Sequence, residues 1–429
     1  MSLPSLAISS SRFLRTDVYL PNPEDINFGA WAWRFTAKDI LPNEGILSGK
    51  TIVMKNNISV AGVNCLQGTD AFASFVPPPI AGATVVTRTL DAGGTIVGKV
   101  VCENLSMAGT SFTAATGPVH NPYARGYSVG GSSSGCGALV ASCAVDINDP
   151  LTLGFLWAIG GDQGGSIRLP ASWCGIYGKD NIDNQIPDYP AILDKVKGTA
   201  KPLAGFKIGL KEGFSEASCE QGGMYDVRVH QKVKNAAGKW KDMGASVEDV
   251  SIPMHTLPMD LWLMIVRTGC VSSVIGGASC VSSVIGGASG RQGFTRTRWD
   301  KLPFTVKNRR GLYARVLCLS HPFTFCPSPM KLMCFLCLQS ELYGKVNYDE
   351  ALDRKNFQGT RPDMMNTCSF DVTGHPALSM PVGMLPSLDN PSISLQVGLQ
   401  IMSKHFQESK IYKAAFAWED KHPNWKECV

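Results

Sequence analysis

Apolar positions along the first half of the chain keep two rhythms in turn. Thr51-Ile52-Val53-Met54-Lys55 is a short, β-branched apolar run, which predicts a strand. From Ala83 to Ala92 the apolar positions recur at helical spacing, Gly93-Gly94 ends that helix, and Thr95 to Val101 is extended again, so that residues 51 to 103 read as strand, hairpin, helix, strand. Cys136 to Ala144 is a run of small residues that reads as a helix. The strand-helix-strand order returns in Phe206 to Leu210, Tyr225 to Met243 and Ala245 to Ser251. Near the end, Leu395 to Met402 reads as a buried strand and Ser409 to Glu419 as an amphipathic helix. Strands alternating with helices predict an α/β protein. Two stretches break the order. Residues 270 to 279, CVSSVIGGAS, recur unchanged at 280 to 289, too short and too isolated a repeat for a solenoid. Residues 312 to 338 mix Cys, Met, Pro and Phe with neither period, and no element is assigned there.

Composition narrows the class. At 429 residues the chain can bury a sizeable core. Forty basic and 35 acidic residues give a net charge of +5, with no basic block of the kind that follows a phosphate backbone, so nucleic acid is not an expected partner. The start MSLPSLAISSSRFLRTDVYLPNPED lacks the charged opening and apolar core of a secretory signal, and no later run is apolar enough to span a bilayer. A soluble, cytoplasmic protein with no membrane partner is expected. The 14 cysteines are scattered, mostly inside apolar runs such as those around Cys136 and Cys143, which suits buried thiols in a reducing compartment. Cys334-Phe335-Leu336-Cys337 has no second pair and no suitably spaced histidine, which argues against a metal site.

The chemistry concentrates in two serine-bearing, glycine-rich segments: Gly130-Gly131-Ser132-Ser133-Ser134-Gly135, and GGDQGGSIRLP at 160 to 170. By itself the first segment admits three readings. Its G-x-S-x-G pattern matches a nucleophile elbow with Ser133 as nucleophile, but the preceding NPYARGYSVG is polar and turn-forming where a buried strand is required. As an anion cradle ahead of the Cys136 helix it lacks the Lys-Ser/Thr ending of a phosphate loop. A flexible Gly/Ser turn is the third reading. In the second segment, Gly164-Gly165-Ser166 sets a hydroxyl beside backbone free of side chains, where successive amides can face one oxyanion. A serine attacking an amide needs a base, and a buried, neutral lysine can serve. Lys55, ending an apolar strand, is a candidate because desolvation disfavours its ammonium form; a solvated lysine at a strand end is the alternative.

With their flanks these pieces resemble the amidase signature family. The resemblance runs in order through GKTIVMK at 49 to 55, residues 90 to 104, GPVHNPY at 117 to 123, both glycine segments, FDVTGHPALSMPVG at 370 to 383 and GLQIMSKHF at 398 to 406. GGDQGGSIRLPASWCGIYG at 160 to 178 is similar to the branch of bacterial and fungal aryl and aliphatic amidases. The resemblance implies one domain over residues 1–429, with a mixed, mostly parallel central β-sheet flanked by helices on both faces. A catalytic core segment at 50–178 and an irregular substrate-side region at 270–338 are expected within it. It further implies Ser166 as nucleophile, Ser132 as bridging serine on a cis peptide, Lys55 as base, and an oxyanion hole of the backbone amides of Gln163, Gly164, Gly165 and Ser166. No metal or organic cofactor is implied. Asp162 and Arg168, flanking the nucleophile, are assigned to holding its loop, and His375 to a structural turn.

The implied activity is hydrolysis of a small neutral carboxamide, an aryl or aliphatic amide or a lactam, and a homodimer is the assembly that many members of the family adopt. Two rival readings accompany it: an amidotransferase subunit delivering ammonia to a partner's substrate, and a catalytically impaired remnant. The remnant reading rests on departures from the family pattern. The spacing from Ser132 to Ser166 is longer than in the family, INDPLTLGFLW at 147 to 157 lying in between. KDNIDNQIPDYPAILDK follows Gly178 where a Lys-Pro-Thr strand and several helices are expected, and Asn56 stands where aspartate is usual.

Overall fold

The computed structural model describes residues 13–21, 27–40, 44–70, 73, 76–145, 157–180, 189–211, 226–250, 252, 262, 332–335, 364 and 366–427. Its strands and helices, in chain order, are β1 (Phe13–Arg15), β2 (Trp31–Asp39), β3 (Thr51–Lys55), α1 (Thr84–Asp91), β4 (Thr95–Val100), β5 (His120–Asn121), β6 (Ala124–Ser128), α2 (Ser134–Val145), β7 (Trp157–Ile159), α3 (Arg168–Cys174), β8 (Gly178–Asp180), α4 (Tyr189–Asp194), β9 (Lys207–Lys211), α5 (Val227–Lys239), β10 (Ser246–Val250), β11 (Leu332–Phe335), α6 (Cys368–Thr373), β12 (Ala377–Pro386), β13 (Ser394–Met402) and α7 (Glu408–Lys421). The duplication at 270–289 and most of 312–338 lie outside the described residues.

One sheet has the order β1-β2-β4-β3-β7, a second β10-β9-β11-β13-β12-β8, and β5 and β6 form a small ribbon. The mixed character expected from the sequence is present, but a mostly parallel sheet does not describe these strands. β3 runs parallel to β4 and β7, and β9 to β10 and β11, whereas the other pairings are antiparallel. The balance follows from connection length: β12 and β13 are joined by residues 387–393, too short for the crossover that parallel neighbours need. Pro381 and Gly383 flank a register shift in the β12–β13 ladder, where a bulge tolerates them.

β3 is apolar on both faces because both are covered. Val53 packs with Ala138, Leu139 and Ala141 of α2. Ile52 and Met54, pointing the other way, pack with Val86 and Leu90 of α1. Lys55 shares the side of Val53 by the same alternation, so the strand delivers its amine toward α2. β7 pairs with Ile52, Val53 and Met54 in parallel, and both strands therefore release their chains at the same end of the sheet. Helix α3 lies between α2 and the second sheet, with every residue from Arg168 to Cys174 buried. The approach is close: a Cβ on Gly137 of α2 would meet Pro170 Cβ at 2.9 Å, and one on Gly398 of β13 would meet Ser172 Oγ at 2.2 Å. Gly175, at φ +63°, ends α3 in the left-handed conformation. The second sheet carries its own core, in which Ile208, Leu399 and Ile401 meet Val233 and Trp240 from and just beyond α5 and Trp418 of α7.

Two departures noted in the sequence have structural outcomes. α2 ends at Val145 and β7 begins at Trp157, so residues 147–156 of the extra run lie outside the described residues while the segments on either side meet. After Tyr177, Gly178–Asp180 forms β8 and pairs antiparallel with Ala377, Leu378 and Ser379 at one edge of the second sheet. Within the unassigned 312–338 stretch, β11 lies between β9 and β13. Among the described residues no helix is long and apolar enough to cross a membrane.

Candidate active site

The end of β3, the turn before α2 and the loop after β7 converge on three side chains. Lys55 Nζ lies 2.8 Å from Ser132 Oγ and 3.2 Å from the carbonyl oxygen of Gly161. Ser132 Oγ lies 2.8 Å from Ser166 Oγ. The peptide between Gly131 and Ser132 is cis. All three side chains are buried, with Ser166 the most exposed at 7%. Burial dominates the environment of Lys55 and lowers its pKa from the ordinary lysine value, against the opposing influence of Cys102, Cys136, Asp162 and Glu103. A neutral amine in line with two hydroxyls can take a proton from one while that one takes a proton from the next.

Asp162 organises the turn that carries Ser166. Its carboxylate accepts from the backbone N–H groups of Gly165 at 2.6 Å, Ile167 at 3.2 Å and Arg168 at 3.3 Å, and from Arg168 Nε at 2.9 Å and Nη2 at 3.0 Å. Burial alone would disfavour the carboxylate, but the guanidinium of Arg168 and the amides of Gly165 and Ile167 outweigh it and hold Asp162 well below the usual carboxylate range. Arg168 also donates to Asp371 at 2.6 Å, to the Thr367 carbonyl at 3.0 Å and to Gln400 Oε1 at 3.0 Å. Asp162 and Arg168 thus occupy positions suited to holding the loop, and neither bonds directly to Lys55 or Ser132 among the described contacts.

The expected oxyanion hole needs one correction. The Gly165 N–H is turned to Asp162 Oδ1, and a donor already bonded to a carboxylate at that distance is not available to a reacting oxygen. The N–H groups of Gln163, Gly164 and Ser166 have no acceptor among the described residues. Ser133, the nucleophile of the elbow reading, instead donates its backbone N–H to the Ser166 carbonyl at 3.2 Å and its hydroxyl to Gly161 O at 3.4 Å. His375 is placed elsewhere: its Nδ1 is 2.8 Å from Thr373 Oγ1, its ring lies 4.1 Å from that of His405, and desolvation followed by the His405 charge pushes its pKa down to about 3.

Five residues near this site carried no assignment in the sequence. Glu103 donates its backbone N–H to the Ser132 carbonyl at 3.1 Å, and its carboxylate accepts from Thr113 Oγ1 at 2.6 Å and from the amides of Phe112 and Thr113; burial nevertheless raises its pKa to about 7. Thr367, Asp371 and Gln400 lie in or beside segments that carried the resemblance, but nothing local ties them to a loop some 200 positions earlier. Trp262 comes from an apolar run with no signal of its own. Among the described residues no group of three His, Cys, Asp or Glu side chains could hold a metal ion.

Comparison with known proteins bears on the family and the fold. The family described as Amidase matches residues 32–192. An enantioselective amidase from Rhodococcus rhodochrous is 32% identical over 57% of this chain and 52% of its own length, so the chain spans about half of that relative. A glutamyl-tRNA(Gln) amidotransferase subunit from Methanosarcina acetivorans is 25% identical over 89% of this chain and 86% of its own. Among solved structures, a bacterial aryl acylamidase of the amidase signature enzymes superposes with a TM-score of 0.65 at 18% identity, over 89% of this chain and 84% of that one, a likeness of fold.

Proposed function

Because the chain belongs to the amidase signature family, we propose that it hydrolyses a small neutral carboxamide, an aryl or aliphatic amide or a lactam, through an acyl-enzyme on Ser166. Neutral Lys55 accepts the proton of Ser132 as Ser132 accepts that of Ser166, and Ser166 Oγ attacks the carbonyl carbon. The oxyanion rests on the N–H groups of Gln163, Gly164 and Ser166. Ser132 passes a proton to the leaving nitrogen, the C–N bond breaks, and water then attacks the ester by the same relay run again, releasing the acid.

The observation that carries this reading is the continuous path Lys55 Nζ–Ser132 Oγ–Ser166 Oγ, with 2.8 Å at each step. It supports an active enzyme over an impaired remnant, because the relay survives a lengthened spacing between its serines. Similarity to an enantioselective amidase supports a small-molecule substrate. The longer match to an amidotransferase subunit favours a second reading, in which ammonia released at the same serine passes to a partner's substrate. A panel of aryl and aliphatic amides offered to the purified protein tests the first. Release of amine that disappears in Ser166→Ala is expected; release that survives the substitution overturns it. Glutaminase activity that requires a co-purifying protein would favour the second.

A further inference from the structure

Two side chains from outside the nucleophile turn hold consecutive carbonyl groups of that turn. Trp262 Nε1 donates to the Gln163 carbonyl, and Thr367 Oγ1 donates to the Gly164 carbonyl while lying 3.1 Å from the Met364 carbonyl. Both side chains are buried, Trp262 at 5% and Thr367 at 0% exposure. They also explain the glycines opposite them. A Cβ on Gly164 would meet Trp262 Cε2 and Cζ2 at 2.7 Å, and one on Gly165 would meet Thr367 Oγ1 at 2.3 Å. Gly165 further requires a φ of +122°.

In a planar trans peptide the carbonyl of one residue and the N–H of the next point in opposite directions. Fixing the Gln163 carbonyl therefore fixes the Gly164 N–H, and fixing the Gly164 carbonyl fixes the Gly165 N–H. The second consequence is visible, since the Gly165 N–H meets Asp162 at 2.6 Å. The first aims the Gly164 N–H away from Trp262, as a donor with no acceptor among the described residues. The neighbouring peptides are held as well: the Gly165 carbonyl accepts from Leu169 N at 2.7 Å and the Ser166 carbonyl from Ser133 N at 3.2 Å.

We propose that Trp262 and Thr367 are positioning residues for the oxyanion donors of this site, Trp262 by orienting the Gly164 N–H itself and Thr367 by anchoring the turn that carries it, whose Gly165 N–H is bound to Asp162 and is not one of the donors. The inference rests on the assignment of Ser166 as nucleophile. It gives the region beyond the catalytic core segment a part in the chemistry, because donors aimed before the reaction stabilise a developing oxyanion without reorganisation.

Inactivation by an alkyl fluorophosphonate tests it without knowledge of the substrate. Ser166 Oγ attacks phosphorus, fluoride leaves, the serine proton passes toward Lys55, and the phosphoryl oxygen occupies the oxyanion position. Trp262→Phe keeps an aromatic ring at this position and removes the indole N–H together with part of the bicyclic ring. The expected result is a maximal inactivation rate lower by about 10- to 100-fold with a half-saturating probe concentration within about twofold of wild type. Thr367→Val is expected to behave likewise, and Thr367→Ser, which keeps the hydroxyl, to recover most of the rate. Wild-type rates in both Trp262→Phe and Thr367→Val, with labelling still abolished by Ser166→Ala, would overturn this inference alone. A weaker half-saturation at unchanged maximal rate would also overturn it, since that marks a wall of the pocket. Failure of the wild-type chain to label on Ser166 would instead overturn the assignment on which it rests.

Discussion

Lys55 is the residue whose chemistry depends most on its surroundings. Its amine is held by a hydroxyl and a carbonyl, Ser132 and Gly161, and burial makes the ammonium form costly. The sign for catalysis follows directly: in the proposed relay the base is the neutral amine, so it is lost as pH falls through the folded pKa, which lies below the ordinary 10.5. The profile of kcat/KM against pH is expected to rise with one ionisation below that value and then level. A limb that stays near 10.5 would contradict burial as its cause. Lys55→Arg keeps a side chain that stays protonated and is expected to lose about 10²- to 10⁴-fold in kcat/KM, the usual worth of a general base. Burial itself could be anticipated, since Lys55 closes an apolar run. The engagement of the Gly165 amide by Asp162 could not, because adjacent glycines are equivalent in sequence until a carboxylate selects one of them.

At the scale of elements, α3 is the part that transmits packing to chemistry. It begins two residues after Ser166 and touches β13 through Gly398, where the Ser172 side chain leaves no room for a methyl group. Gly398→Ala is expected to destabilise the protein by roughly 1–3 kcal/mol, the usual cost of overpacking a close contact. Because the strain falls on the helix that follows the proposed nucleophile, kcat should fall as well. Urea denaturation and steady-state kinetics on one preparation check both, and unchanged stability would mean that the two elements move apart freely. The strand of Lys55 is legible as a short β-branched apolar run, α2 as a run of small residues after a glycine-rich turn, and α1 and the β9-α5-β10 unit from their strand and helix spacing. β12 was hidden by the proline and glycine at its bulge, and β11 by a run without alternation, whose strand state comes from the neighbours β9 and β13 on either side.

At the scale of the molecule, Arg168 ties the Ser166 turn to the second sheet. It is fully buried and binds Asp162, Asp371, the Thr367 carbonyl and Gln400, the last of these 232 positions away in sequence. Such a link is invisible in a local motif; what the sequence offers is an arginine two residues after a serine. Arg168→Ala strands two buried carboxylates, and removing one partner of a buried ion pair costs about 3–5 kcal/mol. The expected outcome is a loss of that order in urea denaturation at neutral pH. Arg168→Lys is not expected to restore it, since an ammonium cannot reproduce the planar fork that reaches four partners. A near-wild-type midpoint for Arg168→Ala would show that the two sheets are held together by apolar packing alone.

The proposed activity follows from the relay that runs from Lys55 through Ser132 to Ser166, and the decisive experiment is to locate a fluorophosphonate adduct by peptide mass mapping. A single adduct on Ser166 is expected, absent in Ser166→Ala and formed far more slowly in Lys55→Ala and Ser132→Ala. An adduct on Ser133 or another residue, or labelling of Ser166 at wild-type rate without Lys55, would contradict the relay.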